Sequence, residues 1–179
     1  MVRKTFLNPG SEYGYSLVST IVAVAIMALL AAGIMTVIFQ IYNVGSANTN
    51  HMVAIREVQN AGRWITRDTQ AASTIETTGD SDGFPLTIKW SDQSNNRYEV
   101  VYDISIDNQL TRHHYTNRSI NPDPDSSKLI ARYINPSTTS CNITQNGELI
   151  VNISAYVDTG LNAKTETRVY RIFPRQRLF

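Results

Sequence analysis

The stretch LVSTIVAVAIMALLAAGIMTVIF, residues 17–39, decides how this chain is organised. Its 23 residues include no charged residue and no His, Asn or Gln. At about 1.5 Å per residue, a helix of this length extends roughly 35 Å and can cross a hydrocarbon core of about 30 Å. A buried helix of a globular protein would normally carry a polar stripe, and this stretch has none. It therefore predicts a transmembrane helix, with a buried core helix as the alternative.

The residues that flank this segment indicate its orientation. Arg3 and Lys4 precede it, whereas the next basic residues, His51 and Arg56, lie well beyond it. Because basic flanks stay on the cytoplasmic side, we expect a cytoplasmic N-terminus and an extracytoplasmic C-terminal domain. The apolar run is also longer than the core of a secretory signal, which has about 7–15 residues. A retained single-pass anchor in the cytoplasmic membrane is therefore favoured over a cleaved signal.

Composition excludes several other classes of protein. Sixteen Lys and Arg face fifteen Asp and Glu, whereas nucleic-acid-binding domains usually carry a clear basic excess. The basic C-terminal residues Arg168, Arg171, Arg175 and Arg177 are accordingly expected to form a solvated strand face rather than a DNA site. The single cysteine, Cys141, rules out an intramolecular disulfide and a Cys-based zinc site, and we expect it to be a small, partly buried residue.

The chain divides into three predicted segments. Residues 1–14 form a polar leader, residues 15–75 a spine helix whose part 15–39 is transmembrane, and residues 76–179 a β-rich domain. Beyond the apolar run, apolar residues recur at steps of three, four or seven, which predicts that the helix continues in amphipathic form. The Thr-, Gly- and Asp-rich run at 77–83 is the predicted stop signal.

After this run the hydrophobic pattern changes to period two, which is typical of strands. The predicted strands are 86–90, 98–106, 110–115, 129–134, 149–157 and 165–173, with a turn at 92–96, a hairpin turn at 107–108 and a loop at 117–127. A sheet of about four to six strands is expected to cover the apolar stripe of the helix. The predicted fold class is therefore α+β, with a long N-terminal helix packed on an antiparallel sheet.

A short motif stands at the start of the apolar run. The leader is basic near its start and ends in Gly14, directly before Tyr15, Ser16, Leu17 and Val18. This arrangement resembles the processing site of type IV prepilins and of the pseudopilins of type II secretion. The resemblance implies that a prepilin peptidase cleaves between Gly14 and Tyr15 and methylates the new N-terminus on Tyr15. The alternative is a chance motif before an ordinary signal anchor.

The sequence departs from that family at one position. The fifth mature residue, a glutamate in the family, is Ser19 here. A carboxylate inside a bilayer needs a partner, and the resemblance implies that this partner is the N-terminal amine of the adjacent subunit. Because Ser19 cannot supply the charge, the resemblance implies a minor or tip subunit rather than a major pilin.

Two later segments extend the resemblance. Residues 61–71 (AGRWITRDTQA), and residues 100–104 followed by 110–112, are similar to segments of J-type minor pseudopilins and related minor pilins. Arg67 and Asp68 in the first segment are candidates for pairing with neighbouring subunits, although a surface pair usually contributes under about 1 kcal/mol. The implied partners are other pilin or pseudopilin subunits, the prepilin peptidase and the inner-membrane assembly platform, in a pilus, a secretion pseudopilus or a DNA-uptake (competence) filament.

No set of residues points to catalysis, and we expect neither an enzyme nor a cofactor. The neighbours His113 and His114 point to opposite faces of a predicted strand and cannot chelate one ion. Asp80 with Asp82, and the acidic turn at 123–125, are weak calcium candidates. Each offers two carboxylates, whereas Ca²⁺ takes about six to eight oxygen ligands. Solvated turns are the expectation at both places.

Two function classes are consistent with these features. The first is a minor pilin or pseudopilin that acts in assembly, initiation or at the filament tip. The second is a signal-anchored extracytoplasmic binding domain that never enters a filament. An exported hydrolase would require an acid, a base and a nucleophile that the sequence does not bring together. Cleavage between Gly14 and Tyr15 distinguishes the first two.

Overall fold

A computed structural model describes residues 17–77, 83–158 and 162–174. The chain divides into two units, residues 1–42 and residues 43–179. A single α-helix of 55 residues, α1 (Leu17–Ala71), begins in the first unit and ends in the second. The continuity of this helix across residues 40–71 confirms the prediction made from the apolar periodicity.

Eight β-strands follow α1 in the described part of the chain and form two antiparallel sheets. The first sheet has the spatial order of its sequence and consists of β1 (Thr74–Thr77), β2 (Leu86–Ser91), β3 (Arg97–Ile104), β4 (Leu110–Thr116) and β5 (Ser126–Ala131). The second consists of β6 (Ser140–Ile143), β7 (Leu149–Val157) and β8 (Lys164–Ile172), again in sequence order. The α+β fold class is confirmed.

The core lies between α1 and the sheets. Four hydrophobic residues of the helix have no exposed surface, and they recur at steps of four, three and four: Ala54, Val58, Ala61 and Ile65. Such spacing places them along one side of the helix. The first sheet contributes Val100 and Tyr102, which are alternate residues of β3, and buried Ile88 of β2 stands opposite Val100 in the register. The helical and strand periodicities of the sequence thus meet in one hydrophobic cluster.

The helix ends earlier than predicted. α1 stops at Ala71 rather than at residue 75, and β1 takes the place of its expected last turn. The reason is the neighbouring strand, because the backbone N–H of Ser73 already donates to the carbonyl of Lys89 at 2.9 Å. Sheet pairing therefore satisfies the backbone groups that a further turn of helix would have used.

The number of strands also differs from the prediction of one sheet with four to six strands. Strands β1 and β6 have four residues each and carry no alternation long enough to be recognised. Strand β5 begins at Ser126, inside the segment predicted as a loop, because its serines pair with His113 and His114 of β4. The predicted turns after β2 and β3 are confirmed, and Asn95 and Asn108 adopt φ values of 63° and 59° there. Asparagine enters this left-handed region more readily than most residues.

Candidate functional site

The first candidate site is the apolar surface at the beginning of α1. Every residue from 17 to 42 is exposed, including large apolar side chains such as Leu29 (75%) and Met27 (70%). A contiguous apolar surface of this extent marks a membrane or protein contact. By length and composition α1 can cross a membrane, which is compatible with membrane anchoring.

Polar groups within this segment are few. The Thr36 hydroxyl donates to the carbonyl of Ala32 at 2.9 Å, which hides its polarity from an apolar phase. Ser19, where the resemblance expects a glutamate, lies exposed in the first turns of α1. Gly14 and Tyr15, the predicted processing site, lie outside the described residues.

The second candidate site is a polar cluster that joins the end of α1 to the first sheet. Its centre is Asp68, which is 5% exposed. One carboxylate oxygen, Oδ2, accepts hydrogen bonds from the Tyr102 hydroxyl at 2.7 Å and from Arg112 Nε at 2.6 Å. Arg67 is a looser partner, with Nε at 3.5 Å from Asp68 Oδ1 and a side chain that is 61% exposed. The cluster therefore connects α1 to β3 and β4 through a nearly buried ion pair.

The surroundings of the cluster shift the pKa values of both sheet residues. Burial, reinforced by the negative charge of Asp68, raises the pKa of Tyr102 far above its usual value of 10.0. Burial alone would lower the pKa of Arg112, but the hydrogen bond and charge of Asp68 outweigh it and raise that pKa. Tyr102 therefore stays neutral and Arg112 stays charged across the physiological range.

A tryptophan beside the cluster strengthens the same junction. The ring of Trp64 lies under Arg67 at 4.0 Å, Lys128 at 4.4 Å and Arg112 at 5.5 Å, measured to the ring centroid. Cations at these distances from an aromatic face are attracted by its quadrupole. Trp64 thus links the helix to β4 and β5.

The carboxylate of Asp68, a candidate for pairing between subunits, has its partners within the chain. Asp68 lies three residues after Ile65 and therefore on the buried side of α1, where Tyr102 and Arg112 occupy its carboxylate. Only Arg67 of the predicted pair is exposed. The sequence analysis did not predict this cluster. Two features could have indicated it: Asp68 is a lone acid on the apolar stripe of the helix, and Arg112 stands at an inward-facing position of a strand.

The two histidines have separate partners. His113 Nδ1 lies 2.8 Å from the hydroxyl of Ser127, and His114 Nδ1 lies 3.6 Å from Asp125 Oδ2. Among the described residues, no group of three or more His, Cys, Asp or Glu is placed to hold a metal ion. The other weak calcium candidates, Asp80 and Asp82, lie outside the described residues.

The cysteine and the arginines near the C-terminus are the remaining residues of interest in the sequence. Cys141 is 6% exposed, and its thiol donates to the carbonyl of Gly83 at 2.8 Å. Arg168 Nε donates to Glu166 Oε1 at 3.0 Å, and Arg171 is exposed on β8. The other two arginines of the basic C-terminal stretch, Arg175 and Arg177, lie outside the described residues, which leaves their positions a prediction.

Comparisons with the known protein families, with curated proteins and with solved structures find no match to this chain.

The shifted pKa of Tyr102 leads to a prediction for alkaline pH. The unfolded chain ionises this phenol near pH 10 and the folded protein does not, so the stability that Tyr102 contributes is present below pH 10 and declines above it. We expect the free energy of unfolding of the wild type to fall more steeply above pH 10 than that of Tyr102→Phe. Chemical denaturation across this pH range measures the difference, and parallel pH profiles would contradict it.

Proposed function

We propose that this protein is a membrane-anchored minor pilin or pseudopilin, acting in assembly, initiation or at the tip of a type IV pilus or type II secretion pseudopilus. The observation that carries the proposal is α1 itself, which begins in a wholly exposed apolar segment and ends on an antiparallel sheet. Such a helix can reside in lipid and later exchange its lipid contacts for contacts with other helices.

Small residues on the apolar segment suit this exchange, because they allow helix backbones to approach closely. They are Ala23, Ala25, Ala28, Ala31, Ala32 and Gly33. A Cβ added at Gly33 would meet no other atom within 4 Å, so this side of α1 is open to a partner. Under the proposal, the partners are other pilin or pseudopilin subunits and the inner-membrane assembly platform.

The polar cluster supports the same proposal from the other end of the helix. Extraction of the apolar segment from a membrane would exert a mechanical force on the contact between helix and sheet. Asp68 and Trp64 hold that contact through an ion pair and two cation–aromatic contacts, with Arg112 and Lys128. The helix end and the first sheet would thus move as one body.

Processing by a prepilin peptidase tests the proposal. When the full chain is co-expressed with the peptidase, we expect mass spectrometry to show cleavage between Gly14 and Tyr15 and a methyl group on Tyr15. Gly14→Val should block the cut, because it places a bulky side chain beside the scissile bond, where the peptidase otherwise meets glycine. Gly10→Val, within the same leader, is the matched control and should be processed normally. An intact wild-type leader would favour the alternative, a signal-anchored binding domain that stays out of filaments.

Position 19 provides a second test of the proposal. Without a carboxylate there, the subunit cannot neutralise the N-terminal amine of a neighbour, so we expect low abundance in the filament. Ser19→Glu should increase incorporation along the shaft, measured by immunogold counts per filament length. Thr20→Glu carries the same charge one position away and should not. Abundant wild-type subunit throughout the shaft would contradict the minor or tip assignment.

A further inference from the structure

A groove of about 470 Å³ lies between the middle of α1 and the edge of the first sheet. Strand β5 is the last strand of that sheet, and its residues 126–129 are exposed. Three arginines line the groove: Arg56 and Arg63 from the helix, and Arg132 directly after β5. All three are exposed.

The groove carries an excess of positive charge. Its lining contains one acid, Glu57, against the three arginines. Glu57 Oε2 accepts a hydrogen bond from the backbone N–H of Arg132 at 2.8 Å. Across residues 17–77, 83–158 and 162–174, none of the three guanidinium groups takes part in an ion pair. Since the whole chain is nearly neutral, this concentration of charge is local.

The walls of the groove are held in place before any partner arrives. Asn60 Nδ2 donates to the carbonyl of Ile130 at 2.6 Å, beside the contact between Glu57 and Arg132. These two contacts attach the helix to the end of the edge strand. A site with preformed walls loses less conformational freedom on binding.

We propose that this groove binds an extended, acidic segment of another protein. Arginine pairs with a carboxylate through two parallel hydrogen bonds, so each of the three unpaired arginines can bind one carboxylate. The carbonyl of Ile130 and the N–H of Arg132 are already bonded to α1, so side-chain charge rather than strand pairing would hold the segment. A peptide with acidic residues at alternate positions suits the groove, since its acidic side chains share one face. The charge of the groove does not depend on whether the chain enters a filament.

Peptide binding by the full chain in a neutral detergent tests this assignment. The probe is a fluorescent peptide of alternating Glu and Thr, and anisotropy reports its affinity. We expect Arg63→Gln combined with Arg132→Gln to weaken binding by about tenfold or more, because charge-assisted bonds are lost. Arg171→Gln removes an exposed arginine on β8 and should leave the affinity unchanged. Arg63→Lys keeps the charge and should retain part of the affinity.

Further probes identify the outcomes that overturn the proposal. A peptide with Gln in place of every Glu should bind weakly, and equal binding would show that charge does not select the ligand. Short duplex DNA that binds as tightly as the acidic peptide would indicate a general polyanion site. A benzophenone on the peptide should crosslink to β5 or to Gln59 in the groove lining, and crosslinks confined to other surfaces would also overturn the assignment.

Discussion

Replacing Asp68 with alanine should lower the free energy of unfolding by about 3–5 kcal/mol, because it leaves the charge of Arg112 nearly buried and without its partner. The Arg112 side chain is only 13% exposed, so water cannot replace the lost carboxylate. Tyr102 would lose its acceptor in the same substitution. A loss of this size is a large part of the 5–15 kcal/mol that typically separates folded from unfolded domains. Denaturant unfolding followed by tryptophan fluorescence measures it.

Two controls identify the cause of that loss. Arg67→Ala removes the exposed partner of the same carboxylate and should change stability by less than about 1 kcal/mol. Asp68→Leu combined with Arg112→Leu removes both charges together and should recover much of the loss, since no uncompensated charge remains. If Asp68→Ala were no more destabilising than Arg67→Ala, the ion pair would not stabilise the junction of helix and sheet.

Enlarging Gly62 should also destabilise the protein strongly. Gly62 is buried in α1, and a Cβ built there would overlap the phenol ring of Tyr170, with both Cε carbons 2.5 Å away. The ring is held in place by its hydroxyl, which donates to the carbonyl of Val58 at 3.2 Å. Glycine inside a helix is about 1 kcal/mol less favourable than alanine, so it is tolerated here for the close contact with β8. We expect Gly62→Ala to cost about 1–3 kcal/mol and Gly62→Leu more, through overpacking.

The same helix contains a matched control. A Cβ at Gly45 would meet no atom within 4 Å, so Gly45→Ala should stabilise the helix by about 1 kcal/mol. In a Tyr170→Ala background, Gly62→Ala should change from destabilising to stabilising, because the obstructing ring is gone. Thermal and denaturant unfolding of the wild type, Gly62→Ala, Tyr170→Ala and the double variant form a double-mutant cycle. A stabilising Gly62→Ala in the wild-type background would show that Tyr170 yields to the added methyl group.

Local pattern was sufficient for much of the fold. The helical period of residues 40–71 and the strand period of residues 149–157 each lie within one element, and β7 has the predicted bounds. The prediction for β5 begins too late, at residue 129 instead of Ser126. The serines at the start of this strand have weak strand preference and are held by pairing with β4. Short strands such as β6 depend on their neighbours in the same way.

The candidate sites divide similarly. The apolar surface of α1 was predicted from residues 17–39, since it requires no knowledge of what lies opposite. The polar cluster was not predicted, because Asp68 and Arg112 are 44 residues apart in sequence and meet only after the sheet packs on the helix. The basic groove likewise combines α1 with Arg132, which follows a strand that was misplaced.

The amino-acid sequence alone therefore establishes the long helix, its apolar membrane-compatible segment and the α+β class, because each arises from the composition or the periodicity of near neighbours. The tertiary structure alone decides where the helix stops and which polar side chains meet. The tertiary structure also explains why a glycine stands at position 62, opposite the ring of Tyr170. These features depend on contacts between residues far apart in the chain, and no local pattern encodes which distant residue a side chain will face.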